Sequence, residues 1–161
     1  MRRIPNGFTL IEILIAVAIL AILAVVGIWS LSRYIPRAQD ARRKSDLVKL
    51  KQTFQDYYND HGEYPPTDVL QNYCADRANP VLVSYQSQLP CDPVTKQAYL
   101  YLVYPDADNR TEGFRLMTRL SNLADPAITE LHCQPDQGCG LGAGYEAYVY
   151  GVSEGVPVSA L

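Results

Sequence analysis

The pattern nearest to an active site is Gly151-Val152-Ser153-Glu154-Gly155, a G-x-S-x-G match. In a hydrolase that pentapeptide makes a strand–turn–helix elbow, and the nucleophilic serine needs a histidine farther along the chain. Only six residues follow Gly155 and none is histidine, so acyl transfer is not expected. The two histidines, His61 and His132, have no ligand-like spacing to the cysteines. Cys133 and Cys139 have five residues between them, unlike C-x-x-C zinc or redox pairs. No phosphate-binding loop occurs, and Asn109-Arg110-Thr111 fits only the short, common glycosylation sequon. These residues predict no enzyme and no metal or cofactor site of standard type.

Two weaker constellations remain. Asp106, Asp108, Asp125 and Asp136 fall in loops and could gather around calcium, although solvated turn residues are the commoner explanation. The basic stretch Arg33–Lys51 could touch DNA, but Asp40 and Asp46 interrupt it, which suits a solvated face or pairing with neighbouring chains. The net charge of −3 also argues against a dedicated nucleic-acid surface.

The cysteines carry a clearer message. All four, Cys74, Cys91, Cys133 and Cys139, lie after a long apolar run, and an even number there suggests two disulfides outside the cytoplasm. Three pairings are possible. Pro135 and Gly138 suit a tight reversal joining Cys133 to Cys139, which leaves Cys74 to Cys91 across a strandless loop.

The remaining chemical singularity is Glu12, the only charge between Phe8 and Leu31. That 24-residue run, as a helix rising about 1.5 Å per residue, reaches roughly 36 Å and can cross a bilayer core of about 30 Å. Trp29 and Tyr34 fall where an interfacial aromatic belt would sit. A charged preface, Arg2 and Arg3, ends at Asn6-Gly7, so the small-residue signal precedes the run. A general secretory signal places its cleavage site after the run.

MRRIPNGFTLIEILIAVAILAIL closely resembles the N-terminus of type IV pilins and type II secretion pseudopilins. The resemblance is specific over residues 3–31, looser over Asp40–Pro66 and weak beyond. It implies that prepilin peptidase cuts between Gly7 and Phe8 and that Phe8 is N-methylated. It also implies that Glu12 meets the Phe8 α-amine of an adjacent subunit. The plainer reading of Glu12 is an acid in a helix's first turn, favoured by the dipole by about 0.3–1 kcal/mol. Lys and Arg after the run outnumber Arg2 and Arg3, and positive-inside counting alone would leave the C-terminus in the cytoplasm. The cysteines and the resemblance imply the opposite orientation.

The helix is expected to continue to about His61 through Gly27 and Pro36. Gly27 is a candidate for loosening during assembly, as in related filaments, or for an ordinary kink. Leu47, Leu50, Phe54 and Tyr57 form an apolar stripe at 3, 4, 3 spacing, with Ala41, Val48 and Tyr58 beside it. Arg42, Arg43, Lys44, Lys51 and Asp56 are expected to face out. Asn59-Asp60-His61-Gly62 stops the helix, and YYNDHGEYP again resembles the end of the pseudopilin helix. A short helix is expected near Asp68–Ala75, and Leu89-Pro90-Cys91-Asp92-Pro93 resembles a pseudopilin turn motif. Strands are expected at Ala98–Tyr104, Gly113–Ser121 and Tyr145–Val152, with Arg115 and Arg119 on the outer face of the second.

The expected fold is α+β, a long N-terminal α-helix with an apolar first half, packed on a small antiparallel β-sheet head. Its divisions are a leader at 1–7, a helix at 8–62 with a membrane and filament-core part at 8–31, and a head at 63–161. The resemblance implies a structural subunit of a type IV pilus or pseudopilus filament. Its partners would be itself, prepilin peptidase, an assembly platform with its ATPase, and inner-membrane lipid before assembly. It would sit as a single-pass protein of the cytoplasmic membrane, C-terminus outside, and then in a periplasmic or extracellular filament. Retention of Glu12 with a compact head suggests a repeating body subunit. The alternative is a membrane-anchored binding module such as a DNA-uptake receptor. In keeping with the charge balance, DNA is not the expected partner.

Overall fold

Between Leu10 and His61 the sequence offers no breaker stronger than Gly27 and Pro36, and one helix, α1, runs from Leu10 to His61. The computed structural model of the chain describes residues 8–78, 80–105 and 111–160. The chain divides into two compact units, residues 1–36 and residues 37–161, and α1 contributes to both. Pro36 lies inside α1 without ending it.

In the second unit, α1 supplies the stripe of Leu47, Leu50 and Phe54, all fully buried, with Tyr57 and Tyr58 packed at its edge. The stripe meets a three-stranded antiparallel sheet of β1 (Leu100–Pro105), β2 (Thr111–Thr118) and β3 (Tyr150–Glu154), in the order β1-β2-β3. Phe54 packs against Tyr101 and Phe114, with ring centroids 4.8 and 5.5 Å away, and Tyr64 closes on Phe114 at 4.6 Å. The β1–β2 register shifts between Tyr104 and Pro105, where the proline has no N–H to give. Between β2 and β3 the backbones pack closely. A Cβ on Gly151 would run into the Met117 side chain and stand 2.6 Å from the Leu116 carbonyl oxygen. Only glycine fits there.

Two short helices complete the unit. The first, α2 (Val69–Asp76), buries Val69, Leu70 and Tyr73. The second, α3 (Pro126–Glu130), falls between the second and third strands, where no element is expected from the sequence. Its signal is present nonetheless: Asp125 at the N-cap accepts from the Ala127 N–H, and Pro126 opens the helix.

Several expectations need correction. Arg43 does not face out: it is only 6% exposed. Its Nε donates to Asp92 Oδ2 at 2.6 Å and its Nη1 to Asp40 Oδ1 at 2.9 Å. Lys44 and Lys51 are half-buried, paired with Asp125 at 2.7 Å and Glu154 at 2.9 Å. Conversely Ala41 and Val48 are exposed. Arg115 is buried, donating to the Pro157 carbonyl and the Tyr104 hydroxyl. Apart from Asp40, three positions before Arg43 on α1, these partners come from 42 to 103 positions away or from a neighbouring strand, so helical and strand periodicity could not reveal them. The third strand begins at Tyr150 instead of Tyr145. The Tyr148 N–H bonds the Tyr145 carbonyl, and Glu146 accepts from the Gly144 N–H, which turns the chain instead of extending it.

Cys74 is joined to Cys91 and Cys133 to Cys139, with Cα–Cα distances of 6.0 and 4.2 Å. Cys74–Cys91 fastens α2 to the turn that carries Asp92. Replacing both with serine is expected to lower the head's stability by about 2–4 kcal/mol. Chemical denaturation of the wild type and the double variant, both without reductant, measures the difference.

Candidate functional site

The first turn of α1 is a capping box. Thr9 precedes the helix, and its hydroxyl accepts from the Glu12 N–H at 3.4 Å. Glu12 Oε2 accepts in return from the Thr9 N–H and the Thr9 hydroxyl, each at 3.3 Å. Two donors of the helix start are thereby satisfied reciprocally. The signal lies open in the sequence as Thr9-Leu10-Ile11-Glu12, a T-x-x-E spacing before an apolar run, and Thr9 joins Glu12 as a residue of this site.

Around this polar start the helix is apolar on every side. Leu10–Gly27 form an 18-residue stretch long and apolar enough to cross a membrane, and none of it is buried in the unit. Phe8 is 81% exposed, and large aliphatic side chains from Leu10 to Val26 stand more than half open. An uncovered helix that is apolar all round requires lipid or other apolar helices as its surroundings. Glu12 is the one carboxylate on it. At Gly27 an added Cβ would meet nothing within 4 Å, so packing in this unit does not account for that glycine.

The other candidate residues are not gathered into a site. Gly7, and with it the Gly7–Phe8 bond, lies outside the described residues, as do Asp106 and Asp108. Asp125 is held by Lys44, whose ammonium keeps its carboxyl below the usual range despite some burial. Asp136 is exposed in the Cys133–Cys139 loop. Among the described residues, no group of three or more His, Cys, Asp or Glu could hold a metal ion. Ser153 lies within β3, and its carbonyl takes the Lys51 ammonium at 2.8 Å. Of the basic stretch, Arg43, Lys44 and Lys51 are committed to carboxylates of the head.

Residues 2–28 match the family described as "Prokaryotic N-terminal methylation motif". The chain is 31% identical over 99 residues to the type II secretion system core protein G of Aeromonas hydrophila, covering 57% of this chain and 69% of that protein. The chain belongs to the type IV pilin and type II secretion pseudopilin family. Pilin relatives include a fimbrial protein of Neisseria meningitidis, 38% identical over 69 residues, covering 43% of this chain and 41% of the relative. A type IV major pilin protein of Neisseria gonorrhoeae is 37% identical over 69 residues, covering 43% of this chain and 42% of the relative. The chain spans about two fifths of the length of these fimbrial and pilin relatives. No solved structure matches. The relatives bear names of structural pilin and secretion proteins, not of enzymes. Within this pilin-like chain, the methylation motif covers the capping box and the apolar run together, whereas the buried Asp40–Arg43–Asp92 network falls outside it.

Proposed function

We propose that this pilin-family chain is a repeating body subunit of a type IV pilus or secretion pseudopilus. The observation that carries the reading is the uncovered apolar helix from Leu10 to Gly27 with a single carboxylate at its start. Lipid satisfies that surface before assembly, the C-terminus lying outside the cytoplasm. In the filament the same faces bury one another in a central bundle. Prepilin peptidase cuts between Gly7 and Phe8 and Phe8 is methylated. An assembly platform and its ATPase then lift the helix out of the bilayer. Glu12, held within its own chain by Thr9, turns to the Phe8 α-amine of the adjacent subunit.

The engagement of Arg43, Lys44 and Lys51 with carboxylates of the head takes three cations of the basic stretch away from DNA, leaving Arg37, Arg42 and Lys49 exposed, and supports a structural role over a DNA-uptake receptor. Intact-mass analysis of the membrane or filament form is expected to give an N-methylated chain beginning at Phe8. A mature N-terminus at Met1, or beyond residue 20, overturns the processing. Immunogold labelling is expected along the whole filament, and deletion of the chain is expected to abolish filaments. Label confined to one end refutes the body position.

A further inference from the structure

A groove in the head, lined by Gln71, Cys74, Lys96, Gln97, Tyr99 and Tyr148, encloses about 360 Å³. That falls in the range of roughly 300–1,000 Å³ usual for small-molecule sites. A smaller hollow of about 80 Å³ adjoins it through Gln97, Tyr99 and Tyr148 and adds Thr95, Thr118 and Arg119 to the lining. The Arg119 guanidinium lies over the Tyr148 ring, 5.0 Å from its centroid. Tyr148 thus stands between the two hollows.

The charge of this lining is one-sided. Among the described residues, neither Lys96 nor Arg119 meets a carboxylate. Lys96 Nζ donates to the Pro93 carbonyl at 2.7 Å. The single acid in the lining, Asp92, is taken up by Arg43 and by the Val94 and Thr95 N–H groups. Each hollow therefore has one cation that meets no carboxylate among the described residues, Lys96 in the groove and Arg119 in the smaller hollow, in a chain whose net charge is −3.

The backbone adds a separate observation. Lys96 sits at φ 62°, left-handed, where glycine is less strained. It is held there by its N–H to the Asp92 carbonyl and by the Asp92 N–H to the Gln97 carbonyl, each 2.9 Å. A position of the lining that favours glycine thus carries a cation.

We propose that this groove binds an anionic sugar, a pyranose ring bearing a carboxylate. Tyr148 provides the aromatic surface for the apolar C–H face of the ring. The Gln71 and Gln97 amides and the Thr95 hydroxyl suit its hydroxyl groups, and Lys96 and Arg119 meet the carboxylate. A single nucleic-acid strand would require successive stacking rings and a cationic track. Tyr148 is the one aromatic ring here flanked by a cation that meets no carboxylate among the described residues.

The full chain in detergent micelles, titrated calorimetrically with an alginate trisaccharide, tests the proposal. Saturable binding is expected, weakening in about 0.5 M salt as exposed ion pairs are screened, with neutral maltotriose at least roughly tenfold weaker. Arg119→Gln is expected to reduce affinity roughly tenfold, the scale of one charge-assisted hydrogen bond. Lys96→Gly removes the cation and relieves the backbone, so binding should fall while Tm does not. No saturable binding, equal affinity for maltotriose, tighter binding of oligothymidylate, or full affinity in Lys96→Gly would each overturn the proposal. The readout is independent of filament formation, so the two readings fail separately.

Discussion

Arg43→Ala is expected to cost the head about 3–5 kcal/mol, the scale of a buried ion pair broken from one side. Arg43, Asp40 and Asp92 are all nearly inaccessible to solvent. Without the guanidinium, two carboxylates stay buried with only N–H donors: Ser121 and Asn122 for Asp40, and Val94 and Thr95 for Asp92. In a unit of this size the loss corresponds to a fall in Tm of more than about 10 °C, readable by circular dichroism. The network also sets an acid dependence. Burial pushes the Asp92 carboxyl up, but Arg43 and the two N–H groups more than offset this and hold it at about 2. Because the folded value lies below the unfolded one, the stabilisation is complete above about pH 4 and is lost as pH falls through about 2. Arg43→Ala should flatten the stability slope in that window. A cost under about 1 kcal/mol, with the acid slope unchanged, would show that the cluster behaves as solvated surface.

Glu12→Ala is expected to leave membrane insertion intact and to abolish filaments when the variant is the only subunit present. A charge within the bilayer costs about 2.5–3.5 kcal/mol on insertion scales, so its removal eases insertion. Loss of assembly must then come from a missing interaction. The capping box supplies a rival explanation, because losing the Glu12 acceptor frays the helix start by about 0.5–2 kcal/mol. Glu12→Gln separates the two, since glutamine serves equally in a capping box but carries no charge. Failure of both variants in electron micrographs assigns the requirement to the charge. Normal filaments from Glu12→Gln would assign it to the cap, and normal filaments from Glu12→Ala would leave Glu12 without a part in assembly.

Features set by local spacing were legible in the sequence. The apolar run, the stripe of Leu47, Leu50 and Phe54, the helix stop near His61 and a short helix around 69–76 all follow from periodicity and breakers within a few residues. What escaped was set by distant partners. Arg43 reads as a surface cation on a helical wheel, and only the arrival of Asp92, 49 positions on, makes it an interior one. Tyr145–Tyr148 has strand-like side chains, but Gly144 and Glu146 bond within the segment and claim its backbone for turns. At the candidate site, Glu12 stands out because a lone charge in an apolar run is conspicuous. Thr9 is inconspicuous beside it and becomes visible only through its three-residue offset.

The three-stranded sheet has a further consequence in its two flanks. An open flank is a ladder of backbone donors and acceptors onto which any extended chain can zip, the first step toward amyloid-like stacking. Here β1 has six residues and closes on Pro105, and β3 has five, with the Ser153 carbonyl already occupied by Lys51. Neither flank offers a long flat template. A chain with so much unburied apolar surface on one helical segment cannot also present a sticky sheet without aggregating, and this head keeps its margins short and blunt.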